Sequence, residues 1–307
     1  MSFKIAVVGS GAIGTYYGAR LALAGSDVRF LMRSDLAAAR SNGIRLKLPD
    51  SELHLAHPQV YAASDEIGPC DLVIITLKTT ANAELPRLVK PLIGAQTALL
   101  TLQNGLGSDE FLAQHFGAER VLGGLAFIAC NRIAPAVVQC LQPGSVTLAE
   151  FGRPLSDRAR HIAGLFEKAG VKCMPTDNLA EARWRKLFWN IPFNGLSIAA
   201  GGITTDRIVG DPALRAAARS LMEEVQGAAA RLGHIIPNDF IDWQFKTTDP
   251  MGPYKPSSLI DFLEGRPVEV EAIWGEPLRR AQAAGAAVPQ LALLYALLRS
   301  VTSLDPG

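Results

Sequence analysis

The chain opens with a short β-branched apolar run, Ile5 to Val8, then three glycines, a helix-compatible stretch, and a second apolar run, "DVRFLMR". Short apolar runs bounded by turn residues are what strands covered on both faces of a parallel sheet require. Two more follow, "DLVIITLK" (Asp71 to Lys78) and "TALLTLQNG" (Thr97 to Gly105), with a helix-compatible segment between them. "VLGGLAFIAC", "AVVQCLQ" and "SVTLAE" then read as strands, the last two joined through Gln142-Pro143-Gly144 as a turn. They predict an antiparallel extension of the sheet. A helical pattern from Ser156 to Gly170 and a short strand, "VKCM", complete this part of the chain.

From about Thr176 the pattern turns helical and stays so. Asp211-Pro212 reads as an N-cap and first helical residue, with Leu214, Ala218, Leu221, Val225 and Leu232 on one face before Gly233. The stretches from Asn238 onward, ending in "LALLYALLRSV", repeat the helical signal. The boundary is therefore expected near residue 176, with an α/β domain over 1–176 and an all-helical domain over 177–307. No internal repeat or low-complexity linker interrupts either part.

The glycines Gly9, Gly11 and Gly14 stand at the spacing G-x-G-x-x-G directly after a strand and at the start of a helix. One glycine permits the sharp turn, one lets a pyrophosphate approach the backbone, and one allows close helix–strand packing. The first helical N–H groups and the positive end of the helix dipole then face the phosphates. This context predicts a Rossmann dinucleotide-binding domain, with Ala12 and Ile13 in the phosphate-binding turn. An NAD-preferring site carries an acid at the end of the second strand. Here that strand ends in Leu31, Met32 and Arg33, with no acid before Asp35. A cation there suits a 2′-phosphate and favours NADP(H); the other reading of Arg33 is a solvated loop residue.

Composition narrows the partners. The 307 residues are 49% hydrophobic and 19% charged, enough for two domains with ordinary globular cores. Lys+Arg 30 against Asp+Glu 29 leaves a net charge of +1, so no excess charge points to nucleic acid or a membrane surface. Cys70, Cys130, Cys140 and Cys173 form no C-x-x-C pair and show no zinc spacing, so no metal is expected and the scattered thiols fit a reducing compartment. With no leader-like N-terminus and no apolar stretch of bilayer length, the expected location is cytoplasmic.

The second half carries one informative stripe. In "ARWRKLFWNIPFNG", Lys186, Asn190 and Asn194 are spaced i, i+4, i+8, which puts an ammonium and two amides on one helix face. Side-chain amides beside apolar residues need a partner, and a polar ligand supplies one; the alternative is a solvated face, or Lys186 paired with a carboxylate. Pro192 within the stripe is expected to kink the helix. Further on, Gly265-Arg266-Pro267 reads as a helix break, with Glu269 in the first turn of the next helix. Glu269 serves there either as a dipole residue or as an acceptor for a hydroxylated substrate.

These strings together resemble the ketopantoate reductases (2-dehydropantoate 2-reductases). The resemblance spans nearly the whole chain: the glycine turn, "TLK" at Thr76 to Lys78, "QNGLG" at Gln103 to Gly107, "WRKLFWN", and "PSSLIDFLEGRPVEVEAI". It implies a Rossmann domain followed by an all-helical domain, with the active site in the cleft between them. It further implies Lys186 as the catalytic lysine and general acid, and Glu269 as a catalytic and substrate-binding carboxylate that also borders the cofactor. Asn104 is implied beside the nicotinamide and substrate. Asn190, Asn194 and Ser258 are implied as ligands of the substrate's polar groups, and Arg33 and Lys78 as contacts of the NADPH phosphates or ribose.

The implied activity is NADPH-dependent reduction of a 2-oxo acid, ketopantoate, in pantothenate and coenzyme A synthesis; an exposed apolar helix in the second domain would suit a homodimer. The family's "TEID" reads "VEVE" here, and the Asn-Gly that follows reads Trp274-Gly275. These departures keep a reductase of another 2-oxo acid or ketone as the second reading. A non-catalytic NADP(H) sensor is the third.

Overall fold

The structure, a computed structural model, describes residues 3–303. Among them the chain forms two compact units, one running up to Gln103 and including Ser108–Leu179, the other made of Asn104–Gly107 and the chain from Ala180 on.

The first unit is built on one sheet of ten strands among the described residues: β1 (Lys4–Val8), β2 (Asp27–Leu31), β3 (Ile44–Lys47), β4 (Glu52–Leu55), β5 (Gln59–Tyr61), β6 (Cys70–Ile75), β7 (Ile93–Thr101), β8 (Val121–Ala134), β9 (Val137–Glu150) and β10 (Lys172–Pro175). Their order is β4-β3-β9-β8-β7-β6-β1-β2-β5, with β10 beside β9. The run from β8 through β7, β6, β1 and β2 to β5 is parallel. Alternate residues divide between two cores: Ile5, Val7, Leu72 and Ile74 enter one, and Ala6, Val8, Val73 and Ile75 the other. Both faces are thus covered, which is why these strands read as unbroken apolar runs.

The expected antiparallel extension is the β8–β9 pair, but its turn lies elsewhere than expected. Gln142-Pro143-Gly144 is no turn: it runs inside β9, and Pro143 and Gly144 together stand opposite Ile128, between the partners Ala129↔Gln142 and Phe127↔Ser145. Two residues facing one is a bulge, which accommodates a proline that donates nothing to the ladder. A Cβ on Gly144 would fall on the Phe127 carbonyl oxygen, so only glycine fits there. The chain reverses instead at Pro135-Ala136, where Ala136 takes a φ of 58°. The short strands β3, β4 and β5 and the helix Leu36–Asn42 were not anticipated, because these segments show no long apolar run.

The second unit is helical. Asp211 caps the helix Pro212–Arg231 through its Oδ1, which accepts from the N–H groups of Ala213 (2.8 Å) and Leu214 (3.0 Å). Ala218, Leu221 and Val225 are buried as expected, while Leu232 lies just past the helix end and is exposed. This unit's core gathers Trp184, Leu187, Phe188, Ile191, Phe193 and Trp274 among others.

Candidate active site

The glycine turn divides its work. Gly9 adopts a φ of 102°, and a Cβ there would lie 2.3 Å from the Leu77 amide nitrogen. A Cβ on Gly14 would lie 2.4 Å from Thr76 Oγ1 and 2.5 Å from the Gly9 carbonyl. Those two glycines serve the protein's own packing. Gly11 is different, because a Cβ there meets nothing within 4 Å. The space over its backbone is clear, as close approach of a phosphate requires.

The helix Ala12–Leu23 starts at Gly11 with no side-chain cap and no acid in its first turn. The N–H groups of Ala12, Ile13 and Gly14 therefore open toward an anion. Thr76 Oγ1 donates to the Gly9 carbonyl at 2.6 Å and Ser10 Oγ to the Leu31 carbonyl at 3.0 Å, pinning the turn to its neighbouring strand ends. Arg33 follows β2 and Lys78 follows β6, both exposed. Asp35, the one acid nearby in sequence, is buried and paired with Arg132, and it accepts from the Ala136 N–H at 3.0 Å. It is committed to holding the β8–β9 turn. Clear backbone, open N–H groups and two exposed cations fit a phosphate-bearing dinucleotide.

In the second unit the sequence stripe becomes a cluster. Lys186, on the helix Leu179–Trp189, donates from Nζ to Asn104 Oδ1 at 2.8 Å. Asn104 was expected on the strand end of the first domain, but β7 stops at Thr101 and Asn104–Gly107 joins the helical unit. Gly105, with φ of 77°, lets the backbone lie against Ala272, whose carbonyl accepts from the Leu106 N–H at 2.9 Å. A Cβ on Gly105 would stand 2.1 Å from that carbonyl oxygen.

Part of Lys186 still meets solvent. Protein nonetheless surrounds it enough for burial to bring its pKa from 10.5 down to about 7. The neighbouring Arg183 charge pushes the same way, and Glu269 opposes both. Glu269 is buried and stands just ahead of the helix rather than in its first turn, since helical structure begins at Val270; its carbonyl accepts from the Ile273 N–H at 3.1 Å. Arg183, itself buried, was missed in the sequence; its only signal was a cation one helical turn from Lys186.

The expected kink at Pro192 is a π-helical turn over Asn190–Asn194, buried at every residue. In an unbroken α-helix, position i+8 drifts about 80° from position i. A turn closed i→i+5 advances less per residue and brings Asn194 back toward the Lys186 side. Asn194 Oδ1 accepts from the Ser258 N–H at 2.9 Å, and Asn190, Asn194 and Ser258 are all buried. Trp274 is fully buried, and its indole N–H donates to the Ile191 carbonyl at 3.0 Å. It braces the π turn from within the core and exposes no surface to a ligand.

No helix of the described residues is long and apolar enough to cross a membrane, and among those residues no group of three or more His, Cys, Asp or Glu is placed to hold a metal.

Comparison with known proteins follows the same division of the chain. The family model described as ketopantoate reductase PanE/ApbA matches residues 5–153, and its C-terminal counterpart matches 178–302. The 2-dehydropantoate 2-reductase of Nostoc sp. (strain PCC 7120) is 39% identical, over 96% of this chain and 94% of that one. The crystal structure of 2-dehydropantoate 2-reductase from Geobacter metallireducens GS-15 superposes with a TM-score of 0.95 at 43% identity, covering 97% of this chain and all of that one. A D-mandelate dehydrogenase in a ternary structure with NADH and anilino(oxo)acetate shares the fold, with a TM-score of 0.90 at 22% identity over 97% of this chain and 98% of that one.

Proposed function

The chain belongs to the ketopantoate reductase family and is an oxidoreductase of that type, and on that premise we propose that it reduces 2-dehydropantoate to pantoate with NADPH, in pantothenate and coenzyme A synthesis. The observation that carries this reading is Lys186, hydrogen-bonded to Asn104 and brought to a pKa of about 7. A general acid is most useful when its pKa lies near the working pH.

When bound, NADPH supplies the hydride. Lys186 gives its proton to the ketone oxygen as negative charge builds there, and its own charge stabilises that oxygen beforehand. Asn104 holds Nζ in one direction. Glu269 opposes burial and keeps enough of the ammonium protonated near neutrality. Asn190, Asn194 and Ser258 hold the carboxylate and hydroxyl of the substrate, and the π turn keeps the two amides on the Lys186 side. Preference for the 2′-phosphate rests on Arg33, since Asp35 is already engaged by Arg132 and Ala136.

The test is the rate of NADPH oxidation by purified protein with ketopantoate, beside a panel of branched 2-oxo acids and with NADH in place of NADPH. Rapid NADPH-dependent turnover of ketopantoate is expected. Turnover of another acid alone reassigns the substrate, and nucleotide binding without turnover of any acid makes the protein a sensor.

A further inference from the structure

Two of the four cysteines that look scattered in the sequence are cross-strand neighbours. Cys130 on β8 stands directly opposite Cys140 on β9. Counting back from the partners Ala129↔Gln142, a regular ladder would set Leu141 opposite Cys130. An extra residue in β9 moves Cys140 into that place instead, the kind of re-aiming that bulges produce. Leu141 is turned out to solvent, while Cys140 enters the sheet core.

We propose that Cys130 and Cys140 are a reversible oxidation site, at which a peroxide-class oxidant converts the two thiols into a cross-strand disulfide. Opposite residues of an antiparallel pair have Cα atoms about 4.5–5.5 Å apart, inside the span of about 4.4–6.8 Å that a disulfide bridges. Access is one-sided as well. Cys130 is partly exposed and meets the oxidant, whereas Cys140 is buried beneath it.

In the first step peroxide oxidises the Cys130 thiol to a sulfenic acid and leaves as water. The Cys140 sulfur then attacks the Cys130 sulfur; the S–S bond forms, the S–O bond breaks, and hydroxide leaves as a second water with the Cys140 proton. Two thiol hydrogens and two electrons pass to one peroxide. Cys70 and Cys173 are buried, and each stands opposite an apolar residue, Ile93 and Val146, with no second thiol across the ladder.

The full-length reduced protein is treated with hydrogen peroxide, and thiol count, intact mass and peptide map are read together. This readout is independent of enzyme activity, so it stands or falls apart from the proposed reaction. Reactive thiols are expected to fall from four to two, with the mass lower by two hydrogens, the peptides of Cys130 and Cys140 joined, and full reversal by dithiothreitol. Cys140→Ser is expected to accumulate a Cys130 sulfenic acid trapped by dimedone, and Cys130→Ser to lose no thiol. Addition of oxygen without a cross-link in the unmodified chain, or a cross-link mapped to Cys70 or Cys173, overturns the proposal.

Discussion

Lys186 Nζ and Asn104 Oδ1 meet at 2.8 Å although 82 positions of sequence separate them. A four-residue excursion, Asn104–Gly107, leaves the sheet unit and joins the helical one, so the amide and the ammonium are held by one core. Removing Asn104 leaves Nζ with less direction. Asn104→Ala is expected to lower kcat by about tenfold or more, in line with ~1.5 kcal/mol for a hydrogen bond to a charged group. Nucleotide affinity, measured by fluorescence titration, is expected to change much less. A kcat equal to that of the unmodified enzyme would show that Nζ needs no help from Asn104.

Lys186 itself sets a pH profile. Its pKa is lowered in the folded protein, to about 7, so it carries its proton below that pH and loses it above. Reduction needs the protonated form; kcat/KM is therefore expected to be level on the acid side and to fall about tenfold per pH unit on the alkaline side. Oxidation of the alcohol needs the neutral amine and is expected to rise through the same pH. Lys186→Ala is expected to lose about two orders of magnitude in turnover while still binding nucleotide. A flat profile from about pH 6 to about pH 9 counts against the general-acid role.

Gly11 and Gly14 make opposite predictions. Gly14→Ala forces a Cβ against Thr76 and Gly9 and is expected to destabilise the fold by about 1–3 kcal/mol. Gly11→Ala places its methyl in open space, so the melting temperature is expected to hold while nucleotide affinity collapses. Equal losses of stability in the two variants would mean that Gly11 too is a packing residue.

Arg33→Ser tests cofactor choice. Losing a charge-assisted contact to the 2′-phosphate is expected to raise the KM for NADPH by about tenfold or more. The KM for NADH, which lacks that phosphate, is expected to stay where it was. Parallel rises for both cofactors would make Arg33 a general surface cation.

Trp274→Phe removes the donor to the Ile191 carbonyl and leaves a smaller ring in a filled core. The expected cost is about 1–2 kcal/mol of stability, read by thermal melting. Because the lost bond braces the π turn that carries Asn190 and Asn194, the KM for the 2-oxo acid is expected to rise more than kcat falls. The reverse split would place Trp274's effect at the Lys186 side instead.

The sequence by itself determined the parallel-sheet strands, the glycine turn, the helical second half and the Lys186 stripe. Each is a local pattern: apolar runs for strands covered on both faces, glycine spacing for a tight turn, a 3.6-residue period for one helix face. The tertiary structure decided what depends on pairing across distance. A proline and glycine that look like a turn became a bulge because β8 runs alongside them. Trp274, in sequence a bulky change near the substrate, lies wholly in the apolar core, where its one polar group meets the Ile191 carbonyl. Asp35 was taken up by Arg132 and Ala136, and Asn104 was delivered to Lys186 by a turn in which only glycine fits against the Ala272 carbonyl. Cys130 and Cys140, ten positions apart, became neighbours because one extra residue shifted the register. Local spacing records none of these, since register and burial are properties of the partner segment as much as of the residue itself.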